Sequence, residues 1–286
     1  MKSFALICSV FIGVSLATKE FKEFKEICGI ENVATSDRII NGVEASPNQF
    51  PWTVFIIIHV GHQIGSCTGS VISKNFVLTA AHCLEGVSKA EIYAGTHDTS
   101  LESEPHRQYR VSENLHVHPD YVHDFHYYEN DIGLIELDKE LEFNDFVRPA
   151  CLPTFADVDT DLVDKNTTIT GWGRILGEPN YLMVPQLRYA TDVPIISNYV
   201  CRESYGNTIN SNIICLDGFS VQKFTCHGDS GGPLNFEVSD GKYMQIGVAN
   251  FGGGKTCVSI KPLGFARVSG FLEWIESTTG IKVDSE

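Results

Sequence analysis

Short apolar runs and short polar turns alternate along most of this chain. From Thr53 to Val60 the text reads TVFIIIHV, a β-branched and aromatic run of strand length. Runs of the same kind recur in GSVISKNFVLTAAHC, KAEIYAGT, NDIGLIELD, NTTITGWG, YMQIGVANFGGG and LGFARV, separated by Gly, Asn, Asp and Pro. Many short strands with turn residues between them predict an all-β sandwich or barrel. The final segment, SGFLEWIESTTG, has another period. Phe271, Leu272 and Ile275 fall on one helical face, with Ser269 placed to cap the helix and Gly280 to end it.

The first residues follow a third pattern. Lys2 precedes an apolar run from Phe4 to Leu16, and the small residues Ser15 and Ala17 suit a signal peptidase. Residues 1–17 therefore read as a signal peptide cut after Ala17. The run falls short of the roughly 20 residues of an ordinary membrane span. No later stretch is long and apolar enough, so a soluble, secreted chain with no membrane partner is expected. Residues 18–38 are charged and carry a lone Cys28. At Arg38 the text changes to IINGVEASPNQFPWTV, with a turn at Asn41-Gly42, and the folded domain is expected over 39–286.

Composition supports that compartment. The nine cysteines include Cys8, which leaves with the signal. An even set remains, and in an oxidising compartment it suggests four disulfides, although eight cysteines allow about 105 pairings. No Cys-x-x-Cys pair argues for a metal site. With 21 Lys+Arg against 36 Asp+Glu the formal charge is −15. That excludes nucleic acid as an expected partner, since phosphate binding needs clustered positive charge.

Three distant stretches carry chemistry: LTAAHC with His82, NDIGLIEL with Asp131 and GDSGGP with Ser230. Serine-based amide hydrolysis needs an attacking hydroxyl, an imidazole to move its proton and a carboxylate to hold that imidazole. Singly, each residue has a plainer reading as a structural histidine, a turn aspartate and a loop serine. Together, in the order RIINGVEA, FPWTV, TAAHC, NDIGLIEL, ACLP, GWG, CHGDSGGP and FARV, they resemble the chymotrypsin-like serine peptidases of the trypsin superfamily. The likeness runs from Arg38 to the C-terminal helix and is nearest in character to arthropod secreted chymotrypsin-like and collagenolytic peptidases.

The resemblance implies an all-β fold of two six-stranded antiparallel β-barrels, roughly 39–155 and 156–268, packed with the active site between them, plus a C-terminal helix. It implies His82 as general base, Asp131 as its orienting carboxylate and Ser230 as nucleophile, with the amides of Gly228 and Ser230 as the oxyanion hole. It implies a zymogen with an activation propeptide over 18–38. Cleavage after Arg38 would free the Ile39 ammonium to pair with a buried Asp229. It pairs Cys67 with Cys83, Cys201 with Cys215, Cys226 with Cys257, and Cys28 with Cys151.

In the family the residue six before the nucleophile lies at the base of the specificity pocket. Here it is Phe224, which offers no countercharge to Lys or Arg. Asn250, Phe251, Gly252 and Leu263 complete the expected pocket, which points to chymotrypsin-like or elastase-like rather than trypsin-like specificity. Asn166 begins an N-x-Thr glycosylation sequon. His116, His118, His123 and His126 crowd one stretch, but a polar surface loop outweighs a zinc site. Thr96 stands where calcium-binding relatives have Glu, so neither metal nor cofactor is expected. Expected partners are peptide substrates, an activator cutting after Arg, and serpins or other peptidase inhibitors, with the chain a monomer. The alternative is a non-catalytic homologue acting as a binding or regulatory module, which Asn250 and a filled pocket would favour.

Overall fold

The computed structural model describes residues 24–32, 42–124, 127–175, 184–252 and 257–284. The strand runs read from the sequence become two curled antiparallel sheets. The first is built of β2 (Thr53–Val60), β3 (Gln63–Val71), β4 (Phe76–Thr79), β5 (Lys89–Ala94), β6 (Gln108–Ser112), β7 (Leu115–Val117) and β10 (Gly133–Glu136). Their order is β6-β5-β2-β3-β4-β10-β7, and this sheet curls into a half-barrel without closing. A hairpin of β8 (Val122–Asp124) and β9 (Tyr127–Glu129) stands apart from it.

The second sheet uses β1 (Val43–Glu44), β11 (Asn166–Gly171), β12 (Arg188–Ile196), β13 (Ile213–Leu216), β14 (Pro233–Ser239), β15 (Lys242–Phe251) and β16 (Leu263–Arg267). Its order is β1-β12-β11-β14-β15-β16-β13. A further β12–β13 pairing closes six of these strands into a barrel, with β1 added outside. Closure removes the exposed sheet edges that would otherwise template aggregation.

Each sheet buries one face. Val54, Ile56, Leu78, Ile92 and Leu134 are fully buried in the first core, and Ile214, Leu234, Leu263 and Phe265 in the second. Polar pairs lock the seam between the sheets. Trp52 Nε1 donates to Asn235 Oδ1 at 2.9 Å, and the Thr53 and Thr170 hydroxyls meet at 3.0 Å. Such buried groups must be paired, because an orphan costs about 1–3 kcal/mol.

The C-terminal helix, Leu272–Thr279, lays Phe271, Leu272 and Ile275 against the first core, and Gly280 ends it at φ 73°. Ser269 does not cap it. A 3-10 turn over Val268–Phe271 leads into the helix, so Ser269 lies inside the turn with no capping bond. The buried anchors Val268 and Phe271 set that entry, not a side-chain cap.

The loop after β5 is organised by Arg107. Its Nη1 donates to the carbonyl of Leu101 at 2.8 Å, its Nη2 to that of Asp98 at 2.9 Å and to Glu104 at 2.6 Å. Glu104 also accepts from the Thr96 hydroxyl and from the amides of His97 and Asp98. Burial pushes its carboxyl up, but the Thr96, amide and Arg107 bonds outweigh this and hold it below the usual range. The guanidinium is thus the cation on which the loop's oxygens converge. Breaking a buried pair typically costs about 3–5 kcal/mol, and this half-buried one belongs at the lower end. Arg107→Ala should lower unfolding stability by about 3 kcal/mol in urea titration, whereas chelation with EDTA should leave the wild-type melting curve unmoved.

Candidate active site

Antiparallel pairing places His82 beside Asp131. Strand β4 ends at Thr79, opposite Gly133 at the start of β10. His82 follows β4 in a one-turn 3-10 helix, Ala81–Cys83, and Asp131 precedes β10. The two loops leave the same end of the sheet and meet. Asp131 is wholly buried. One carboxylate oxygen accepts from the His82 backbone N–H at 2.8 Å and the other from His82 Nδ1 at 2.7 Å. With Nδ1 bound to the carboxylate, Nε2 is the atom available to take a proton.

Ser230 lies in the second sheet, in the turn before β14, and its backbone is tied to the elements around His82. Its carbonyl accepts from the Thr68 N–H at 2.9 Å and lies 3.6 Å from the sulfur of Cys83, the residue after His82. The Thr68 hydroxyl donates to the carbonyl of Gly228 at 2.8 Å, the Gly231 N–H donates to the Ala249 carbonyl at 2.9 Å, and the Ala249 N–H donates to that of Gly232 at 2.9 Å. The Cys67–Cys83 disulfide ties the strand that holds the turn to the histidine loop.

Glycine is required twice here. Gly228 has φ 109°, and a Cβ on it would lie 3.0 Å from the Trp172 carbonyl; Gly231 has φ 77°, and its Cβ would lie 2.0 Å from the Thr79 hydroxyl. The resulting turn leaves the N–H groups of Gly228 and Ser230 without acceptors among the described residues. Neither Ser230 Oγ nor His82 Nε2 has a hydrogen-bond partner there either. Catalytic bonds of this kind often tighten only around substrate. An imidazole held by a buried carboxylate, and a serine in a turn with two free amides, are the groups that acyl transfer requires.

Asp229 points the other way, beneath the turn. Its carboxylate accepts from the Gly173 N–H at 2.7 Å and the Cys226 N–H at 2.9 Å, and no cation pairs with it among the described residues. Burial pushes its carboxyl up to about 6, with the Cys226 and Gly173 bonds pulling the other way. Gly171 and Gly173 make room for it, since a Cβ on them would fall 2.2 and 2.0 Å from its oxygens.

A family model described as Trypsin matches residues 39–275. The chain belongs to the trypsin family. It is 30% identical over 270 residues to chymotrypsin-C of Bos taurus, covering 92% of this chain and 97% of that one. It is 33% identical to the clotting factor G beta subunit of Tachypleus tridentatus, covering 97% and 91%. Among solved structures, HL collagenase superposes with a TM-score of 0.74 at 33% identity, covering 85% of this chain and all of that one. The chain is accordingly a serine endopeptidase, and arthropod proteases stand among its relatives.

The remaining residues read from the sequence fall as follows in this trypsin-family chain. All four disulfides pair as the resemblance implied: Cys28–Cys151, Cys67–Cys83, Cys201–Cys215 and Cys226–Cys257. Arg38, Ile39 and His126 lie outside the described residues. His116, His118 and His123 go to separate partners, namely Glu136, the Phe271 and Trp274 rings, and Glu85.

Around the expected pocket, Leu263 is fully buried in the second core. Its Cδ2 lies 2.7 Å, and the Thr225 hydroxyl 3.1 Å, from where a Cβ on Gly252 would be. Phe251 packs edge-on against Tyr205 at 4.9 Å and covers Gly264. Phe224 is half-buried. Asn250 is 7% exposed, and neither of its carboxamide atoms has a partner among the described residues. Thr68, which grips the nucleophile turn, and the two glycines of GWG, which cradle Asp229, carry no reactive group that would single them out in the sequence.

Proposed function

We propose that this chain is the secreted zymogen of a serine endopeptidase that opens peptide bonds through an acyl-enzyme. Ser230 Oγ attacks the substrate carbonyl while its proton passes to His82 Nε2. Asp131 holds the imidazole and stabilises its positive form. The N–H groups of Gly228 and Ser230 receive the oxyanion, each worth about 3 kcal/mol of transition-state stabilisation. His82 then gives the proton to the departing amine, and water repeats the sequence on the ester. The observation that carries this reading is the His82 Nδ1–Asp131 bond of 2.7 Å beside a turn with two unengaged amides. It does not favour a non-catalytic homologue.

Residues 1–17 serve as the signal, 18–38 as the propeptide and 39–286 as the peptidase domain. An activator cuts after Arg38, and the Ile39 ammonium then pairs with Asp229. Support comes from a carboxylate that two amides hold with no cation beside it among the described residues. The segment 24–32 is bound to the domain: Gly29 bonds to Pro149 and Tyr243, Asn32 to Asn48 and Asp145, and Cys28 to Cys151. It would stay attached after the cut. For secretion, the support is four disulfides and a relative named venom serine protease; no helix among the described residues is long and apolar enough to cross a membrane. Asn166 is exposed at the start of β11 and available to a glycan.

For specificity we favour apolar residues of small to medium size. Phe224 brings no charge, and Leu263 packs close against Gly252, which we read as a narrowed pocket. A relative named chymotrypsin-like elastase family member 3A, 33% identical, fits that preference. The test is to cut the Arg38–Ile39 bond with an arginine-specific peptidase and assay a mixed peptide library. Turnover should appear with the cut, and the propeptide should leave only on reduction. Peptides with Lys or Arg before the scissile bond should be at least about 100-fold poorer, because their charge is buried unpaired. No turnover after a verified cut would favour the non-catalytic alternative, and a preference for Arg would overturn the apolar pocket.

A further inference from the structure

We propose that Tyr128 is a positioning residue that fixes the His82 ring and favours its protonated form. This rests on the reading of His82 as general base. The two rings are stacked, with centroids 5.1 Å apart and planes 18° from parallel. Asp131 grips one edge of the imidazole, so the Tyr128 ring on its face leaves it little freedom to turn. Tyr128 is itself held. Tyr121 stacks with it at 6.3 Å and 20°, and His123 packs against it at 4.9 Å. Glu85, three residues after His82, pairs with His123 Nδ1 at 2.8 Å and accepts from the Tyr121 hydroxyl at 3.4 Å. The hairpin that carries Tyr128 is thereby fastened to the loop that carries His82.

The face of an aromatic ring is electron-rich and attracts a cation. As Ser230 Oγ bonds to the substrate carbon, its proton moves to His82 Nε2 and the imidazole becomes positive. The stack therefore strengthens toward the transition state, which is the condition for raising kcat. Among the described residues, the charged and titratable groups around the imidazole are Asp131 on its edge, Tyr128 on its face, Tyr121 and His123 against that ring, and Glu85 from its own loop. Burial, then Asp131 and Glu85, push the Tyr128 hydroxyl up, so the ring stays a neutral phenol.

A ring that merely shields the histidine from water has the opposite signature. Removing a shield eases protonation; removing an attractive face hinders it. The experiment follows the His82 ring by NMR against pH in the activated chain, in wild type, Tyr128→Leu and Tyr128→Phe, with steady-state kinetics on the same samples. Tyr128→Leu should move the His82 titration to lower pH by about half a unit and reduce kcat about fivefold with KM little changed. Tyr128→Phe, which keeps the ring face, should restore both. An upward or absent movement in Tyr128→Leu, or Tyr128→Phe behaving like Tyr128→Leu, overturns the proposal. Turnover surviving in His82→Ala would remove the general-base reading and this proposal with it, whatever the titrations show.

Discussion

Ser230→Ala should give a folded chain that, once cut after Arg38, shows no labelling by a phosphonofluoridate and no measurable turnover. The expected loss in kcat is about 10⁶-fold, the scale seen when one member of such a catalytic unit is removed. Folding should be spared, because Ser230 Oγ has no partner among the described residues and the turn is held by its backbone. Its carbonyl bond to Thr68, the Thr68–Gly228 bond and the Ala249 bonds all survive the substitution. Unfolding stability should therefore match wild type within about 0.5 kcal/mol. Labelling by the reagent at wild-type rate would sink the nucleophile assignment. A loss of activity together with a large loss of stability would instead mean that the hydroxyl is structural.

The parts of this site that could be read along the chain are those that react or repeat. His82, Asp131 and Ser230 sit in short motifs, and the strand runs show their period, so the candidate residues and the all-β fold could be read together. The supports were less so. Thr68 holds the nucleophile turn with its N–H and its hydroxyl, yet in sequence it is one more β-branched residue in a strand. The glycines of GWG look like a turn; only the approach of Asp229 shows why neither position admits a Cβ. Arg107 and Tyr128 act through loops whose course depends on long-range pairing, which periodicity does not report. Ser269 misled because a local capping preference yielded to the burial of Val268 and Phe271. The pocket was hardest. Its shape turns on how far Leu263 sinks into the second core, a property of packing between β15, β16 and the nucleophile turn rather than of any one residue.

Asp229→Asn should separate the two jobs of that carboxylate. In the activated chain it removes the charge that, on the proposed activation, would pair with the Ile39 ammonium. The turn bearing Gly228 and Ser230 then loses its anchor, and turnover should fall at least about 100-fold, the loss expected for one oxyanion donor. In the intact chain the sign is different. The folded carboxyl titrates near 6, above its ordinary 3.8, because burial outweighs the two amide bonds. The folded state thus keeps this proton longer than the unfolded state. The resulting stabilisation is fully present below about pH 4 and is lost as pH rises through about 6. The distance from 3.8 to about 6 corresponds to about 3 kcal/mol. Urea unfolding of the intact chain from pH 4 to 8 should show wild type losing about that much relative to Asp229→Asn. After the cut, the new ammonium should lower the carboxyl's titration and reverse the trend, so that wild type gains on the variant as pH rises. Parallel stability curves for wild type and variant in both forms would mean that Asp229 carries no switch. A pH trend in the intact chain that persists unchanged after the cut would mean that the Ile39 ammonium does not reach it.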